Sequence, residues 1–219
     1  MFFRILSFIG LIAVIIWIYS ALKSNQEIKK SIGVWIKGQI QEIFIAFKNI
    51  KKTPPSDYFV IFRKTIYFLT ILCVLILAFT GFLPVLFGSH LSGYLLLIHV
   101  SVAPIFAICM ALISLIWASQ KRFDRLNWEW FRKLFKKNRN QSNSVQFYNC
   151  TEKVFFWFLL ILALIIILSI LLSMLKYFGT GAQEFLIQLH RFSALFFVIA
   201  SCYHTYLIIF QCIKEKSIK

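Results

Sequence analysis

Acidic side chains are scarce in this chain. Its 219 residues include 8 Asp and Glu against 24 Lys and Arg, and none of the eight lies in the interior of an apolar run. Proton pathways through membranes generally use buried ionisable groups, so a carboxylate-based proton carrier is disfavoured. Cysteine motifs are missing as well. Cys73, Cys109, Cys150, Cys202 and Cys212 show no CxxC spacing, which supports neither a zinc site, an iron–sulfur cluster nor a disulfide framework, and no CxxCH motif for c-type haem attachment is present. Their expected role is that of small apolar fillers. No glycine-rich nucleotide fingerprint occurs, so terminal catalysis is expected elsewhere.

What the sequence has in excess is apolar surface: 60% hydrophobic residues, 25 of them Phe, and a mean hydropathy of +0.79. A soluble domain of this size has too little interior to hide it. Runs long enough to cross a bilayer are Phe3 to Leu22, Thr65 to Phe87, Tyr94 to Trp117, Val154 to Leu175 and Phe185 to Phe210. The expected fold is therefore an all-α membrane protein. Its parts are an N-terminal anchor (1–22), a basic segment (23–64), a four-helix transmembrane bundle (65–212) and a short tail (213–219).

The net charge of +16 does not indicate nucleic acid, because it follows topology. Of the 24 basic residues, nine lie in 23–64, nine in 121–153 and three after Gln211, and five crossings put all three stretches on one side. The positive-inside rule makes that side cytoplasmic, with the N-terminus outside and the C-terminus inside. The expected location is the cytoplasmic membrane, with anionic lipid in contact with the basic face.

The first run continues into a lysine-rich stretch without a small-residue cleavage site and reads as an uncleaved anchor. Between the first two spans, Trp35, Ile36, Ile40, Ile43, Phe44 and Phe47 recur at helical spacing among polar residues, as in a helix lying on the membrane surface. Pro54 and Pro55 are expected to end it. Lys121 to Lys137 repeats the design with Phe123, Leu126, Trp130, Phe131 and Leu134. The second and third spans, joined by few residues, are expected to be antiparallel neighbours. The fourth span has no ionisable residue after its start and is expected to pack toward lipid.

Ionisable residues within spans are costly and mark functional positions. His190 and His204 are 14 residues apart, which on a helix puts them within ~40° of one face and ~21 Å apart along the axis. Haem iron is the ligand that neutral imidazoles at such spacing suggest. His99 and His190 lie at matching depth on helices of the same direction, as a bis-histidine b haem requires. Arg191, just inside the boundary, suits an anionic haem propionate or lipid phosphate. Pro104, five residues after His99, is expected to loosen the helix there. His204 sits toward the cytoplasmic end with no histidine at its depth. The side chains that approach that depth are Tyr67 and Met110, each also a common interface or core residue. His90, beside Gly88 and Gly93, reads as a loop residue.

Arg63 at the start of the second span, Thr80-Gly81 at its end, His99, and the His190–His204 interval together resemble the cytochrome b subunit family of formate dehydrogenases, nickel-iron hydrogenases and thiosulfate reductases. The likeness covers Arg63 to Phe210. It implies a four-helix transmembrane haem-binding bundle, here with one additional N-terminal transmembrane helix. It also implies haem b, electron exchange with the quinone pool, and an iron–sulfur or multihaem cytochrome c partner in a bacterial respiratory oxidoreductase. By that resemblance His99 and His190 hold the outer haem and His204 serves an inner one. Where the family has a histidine opposite the inner haem, this sequence has Tyr67. The competing class is a haem-free assembly or transport component whose histidines handle metal or protons. It predicts a colourless protein.

Overall fold

The computed structural model describes residues 2–24, 33, 34, 37, 38, 41, 44, 55–125, 127, 128, 132, 144–175 and 177–218. Among these residues the chain forms α1 (Phe2–Ser24), α2 (Pro55–Phe87), α3 (Gly93–Trp117), α4 (Ser144–Ser173) and α5 (Thr180–Ile218). Each contains a segment long and apolar enough to cross a bilayer. The all-α membrane architecture with an extra N-terminal helix is thus present. Most of the two amphipathic stretches around 35–48 and 121–137 lies outside the described residues, as do Lys176 and Pro54.

Three helices run beyond their apolar segments. Pro55 opens α2 instead of only closing the stretch before it, consistent with its fixed φ and the unneeded N–H of a first helical position. The apolar runs of the sequence start later, at Thr65, Val154 and Phe185, whereas α2, α4 and α5 start at Pro55, Ser144 and Thr180. Backbone hydrogen bonding carries a helix through Arg63, Lys64 or Gln183 as readily as through leucine.

The chain divides into two units, Met1–Ile116 and Trp117–Lys219. In the first, α1 packs on α2. The end of α2 is a Schellman motif: Gly88 adopts φ 73°, its N–H reaches Val85 O at 3.1 Å, and Ser89 N–H reaches Pro84 O at 2.9 Å. Arg4 of α1 donates from Nε to Leu86 O at 3.1 Å, covering another end carbonyl and placing a cation at the negative end of the helix dipole. Further along, Cys73 of α2 and Cys109 of α3 are both buried, free thiols.

In the second unit α4 lies along α5. α4 has an exposed apolar side, as its expected packing toward lipid requires, and a buried side as well. Phe156, Leu159, Ala163 and Ser169 are buried at helical spacing, whereas Leu164, Leu168 and Leu171 on other faces are exposed. In lipid the hydrophobic effect does not drive helices together, and close packing of small residues with interhelical hydrogen bonds does. Ala163 and Ser169 on α4, with Ser193 and Ala200 on α5, provide such a surface. The segment after α3 is fastened to the start of α4 by the Lys121–Glu152 ion pair, by Lys153 with Asp124 Oδ2 at 3.2 Å, and by the Trp157 indole donating to Lys121 O at 3.0 Å.

Candidate functional site

In the first unit His99 projects from the early part of α3 to the end of α2. There Thr80, only 2% exposed, donates its hydroxyl proton to Ile76 O at 2.8 Å. That proton being committed, Thr80 Oγ1 accepts, and His99 Nδ1 lies 2.9 Å from it. With the hydroxyl proton on Ile76 O, the imidazole donates from Nδ1 and keeps Nε2 as its other nitrogen. Gly81 completes the seat: a Cβ built on it would meet His99 Cε1 at 3.3 Å. Beside this contact opens an apolar groove of about 420 Å³, lined by Leu75, Ile76, Phe79, Thr80, Leu95 and Ile98.

In the second unit His190 of α5 places Nδ1 3.0 Å from the backbone carbonyl of Ile166 on α4. A carbonyl only accepts, so His190 also carries its proton on Nδ1 and presents Nε2 as its basic nitrogen. The same carbonyl takes the Ser169 hydroxyl at 3.0 Å. A metal-binding imidazole is usually held this way, its other nitrogen donating to a carbonyl or a similar acceptor that fixes tautomer and ring orientation.

His204 differs. Its Nδ1 is buried and has no hydrogen-bond partner, and the charged groups facing it in this unit are Glu152 and Lys121. Its neighbour Tyr203 stacks on Phe155 with ring centroids 4.7 Å apart. Because α5 is unbroken from Thr180 to Ile218, His190 and His204 keep the common face expected of their spacing. Arg191 is exposed, and so is His90 in the loop after α2. Met110, buried at 7%, and the half-buried Tyr67 belong to the first unit, on α3 and α2. The helix α3 continues through Pro104 without a break.

Sequence reasoning gave Thr80 and Gly81 no part in holding His99, although the pair was visible as a motif. It missed Ile166 and Ser169 altogether, since a backbone carbonyl leaves no mark in residue type. Among the described residues no three His, Cys, Asp or Glu side chains gather into a metal cage. A porphyrin iron asks for less, because its ring supplies four nitrogens and the protein only axial ligands. Neutral imidazoles with the proton pinned on Nδ1 fit that demand.

Fold and histidines together define a class: a multi-pass, all-helical membrane protein carrying hydrogen-bonded imidazoles within its spans. The chain belongs to the prokaryotic cytochrome b561 family, whose description matches residues 61–219, from early α2 through α5. No curated protein and no solved structure matches it. The family is one of b-type haem proteins, and α1 precedes the matched region.

Proposed function

We propose that the chain is the membrane-embedded electron-transfer subunit of a respiratory oxidoreductase, with His99 and His190 as residues that would hold b haem. The observation that carries this reading is the pair of Nδ1 hydrogen bonds, His99 to Thr80 and His190 to Ile166. Each fixes the tautomer that leaves Nε2 for iron.

Haem supplies a one-electron couple, and the chain supplies ligands, orientation and apolar insulation. Arg191 is the proposed cation for a propionate or a lipid phosphate. The quinone pool on one hand, and an iron–sulfur or multihaem cytochrome c protein on the other, are the proposed electron partners. The distribution of Lys and Arg supports a cytoplasmic C-terminus in the bacterial inner membrane. A second haem at His204, with Met110 and Tyr67 as further candidate ligands, is supported by the common face that His190 and His204 share on the unbroken α5, although the His204 Nδ1 lacks the acceptor that holds the other two rings.

The test is the absorption spectrum of the purified protein. A reduced α band that disappears in His99→Ala and in His190→Ala is the expected result. A band unchanged by either substitution, or a colourless protein, overturns the assignment.

A further inference from the structure

Serine and threonine hydroxyls throughout these helices bond back to a carbonyl three or four residues earlier. Thr65, Thr70, Ser114, Ser173 and Thr205 all do so. Two members of this group stand apart, because the hydrogen bond they make is shared with a histidine. Thr80 donates to Ile76 O and accepts from His99, so its hydroxyl stands between carbonyl and imidazole. A hydroxyl that is already donating is a better acceptor, since successive bonds in a chain polarise one another in the same sense. Ser169 is arranged the other way. Its hydroxyl and the His190 Nδ1 both donate to the one oxygen of Ile166, each at 3.0 Å. Two donors on one acceptor compete, and each weakens the other. Ser169 is only 2% exposed, so in this apolar setting water does not level the difference.

We propose that Thr80 and Ser169 are tuning residues acting in opposite senses, Thr80 raising and Ser169 lowering the electron-donating strength of the imidazole each one serves. This rests on the reading of His99 and His190 as iron ligands. An imidazole whose Nδ1–H is held by a strong acceptor gains anionic character and favours ferric iron, which lowers the reduction potential. Removing the Ser169 hydroxyl takes away the competing side-chain donor and leaves the Ile166 carbonyl to His190 and its own helix N–H, so the potential falls. Removing the Thr80 hydroxyl leaves the His99 Nδ1–H without its acceptor, so the potential rises. Neither residue touches the iron. They act through the histidines, and their opposite signs separate tuning from general loosening of the bundle, which would move both variants the same way.

The experiment is a redox titration of the full-length protein in detergent, followed at the α band, for the wild type, Ser169→Ala, Ser169→Thr, Ser173→Ala and Thr80→Val. Ser169→Ala is expected to retain haem and to shift the ferric-to-ferrous ratio at fixed potential about threefold toward ferric, about 30 mV at ~59 mV per tenfold for one electron. Ser169→Thr, which restores a hydroxyl, should match the wild type. Ser173→Ala should match it too, since Ser173 bonds only to Ile170 O at 2.8 Å. Thr80→Val should shift upward, or lose haem, with Ser169→Ala still shifting downward. A haem-loaded Ser169→Ala with an unchanged or raised potential overturns the tuning role and leaves the ligand assignment standing, as does an equal shift in Ser173→Ala. A wild-type protein without haem overturns the ligand assignment itself.

Discussion

Gly81 and His99 touch so closely that any side chain at position 81 enters the space of the imidazole: a Cβ there would lie 3.3 Å from Cε1. A single methyl forces a shift of a few tenths of an ångström, and a branched residue forces the ring off Thr80. Gly81→Ala is expected to bind haem with a perturbed ferric electron paramagnetic resonance signal. Gly81→Val, overpacked by about 1–3 kcal/mol, is expected to lose most of its haem. Full haem content and an unaltered signal in Gly81→Val would show that the ring is not held where Thr80 places it.

The three intramembrane histidines should separate cleanly by substitution. With His99 and His190 as the proposed haem-holding residues, leucine at position 99 or 190 should abolish the α band. Leucine at position 204 should leave that band in place. Haem quantified as the pyridine haemochrome decides what His204 adds: two per chain, falling to one in His204→Leu, is the outcome expected of a second haem. One per chain in both proteins sets the second haem aside.

At the junction of α1 and α2, Arg4 and Gly88 are coupled. Arg4 Nη1 lies 2.5 Å from where a Cβ on Gly88 would be, and Gly88 has φ 73°. Arg4→Ala should lower stability by about 0.5–1 kcal/mol, the scale of an exposed cation at a helix terminus. Gly88→Ala should cost more, because alanine there is strained in φ as well as crowded. Measured as thermal midpoints in detergent, the double variant should lose less than the sum of the two, since neighbours in contact do not add. Strict additivity would mean that α1 is not held at this point.

The Lys121–Glu152 pair invites an asymmetric test. The two side chains are 22% and 13% exposed, so removing one leaves the other charge poorly solvated. Glu152→Gln is expected to destabilise by about 1–2 kcal/mol, less than a fully buried pair because of that exposure. Adding Lys121→Met should recover part of the loss. If the double variant is no better than Glu152→Gln alone, the pair is not what fastens this segment to α4.

The sequence made the five crossings legible, because bilayer thickness demands ~20 apolar residues in a row and every run here meets it. Helix ends were less visible. At Pro55 and at Thr180 the helix begins in polar sequence, where hydropathy has nothing to report. The histidines were legible as residue types at telling spacings, and Thr80-Gly81 as a short motif. What holds the rings was hidden for a chemical reason. Ile166 acts through its backbone oxygen, which every residue possesses, and Ser169 looks like the other helix serines until its acceptor is known. The same blindness explains α4, whose nearly uniform apolar sequence gives little sign that one of its faces carries a polar contact.

Helix α5 is a single element of 39 residues, with no proline anywhere along it and its sole glycine at 181. At 1.5 Å per residue it spans ~58 Å, well over the ~30 Å of a hydrocarbon core, so at least one end stands clear of the lipid as a stiff rod. Kinks arise at proline, paired small residues or bulges, and the stretch from His190 to Ile218 is an unbroken α-helix. Whatever grips the last turns of this rod therefore acts on the same continuous helix that carries both imidazoles.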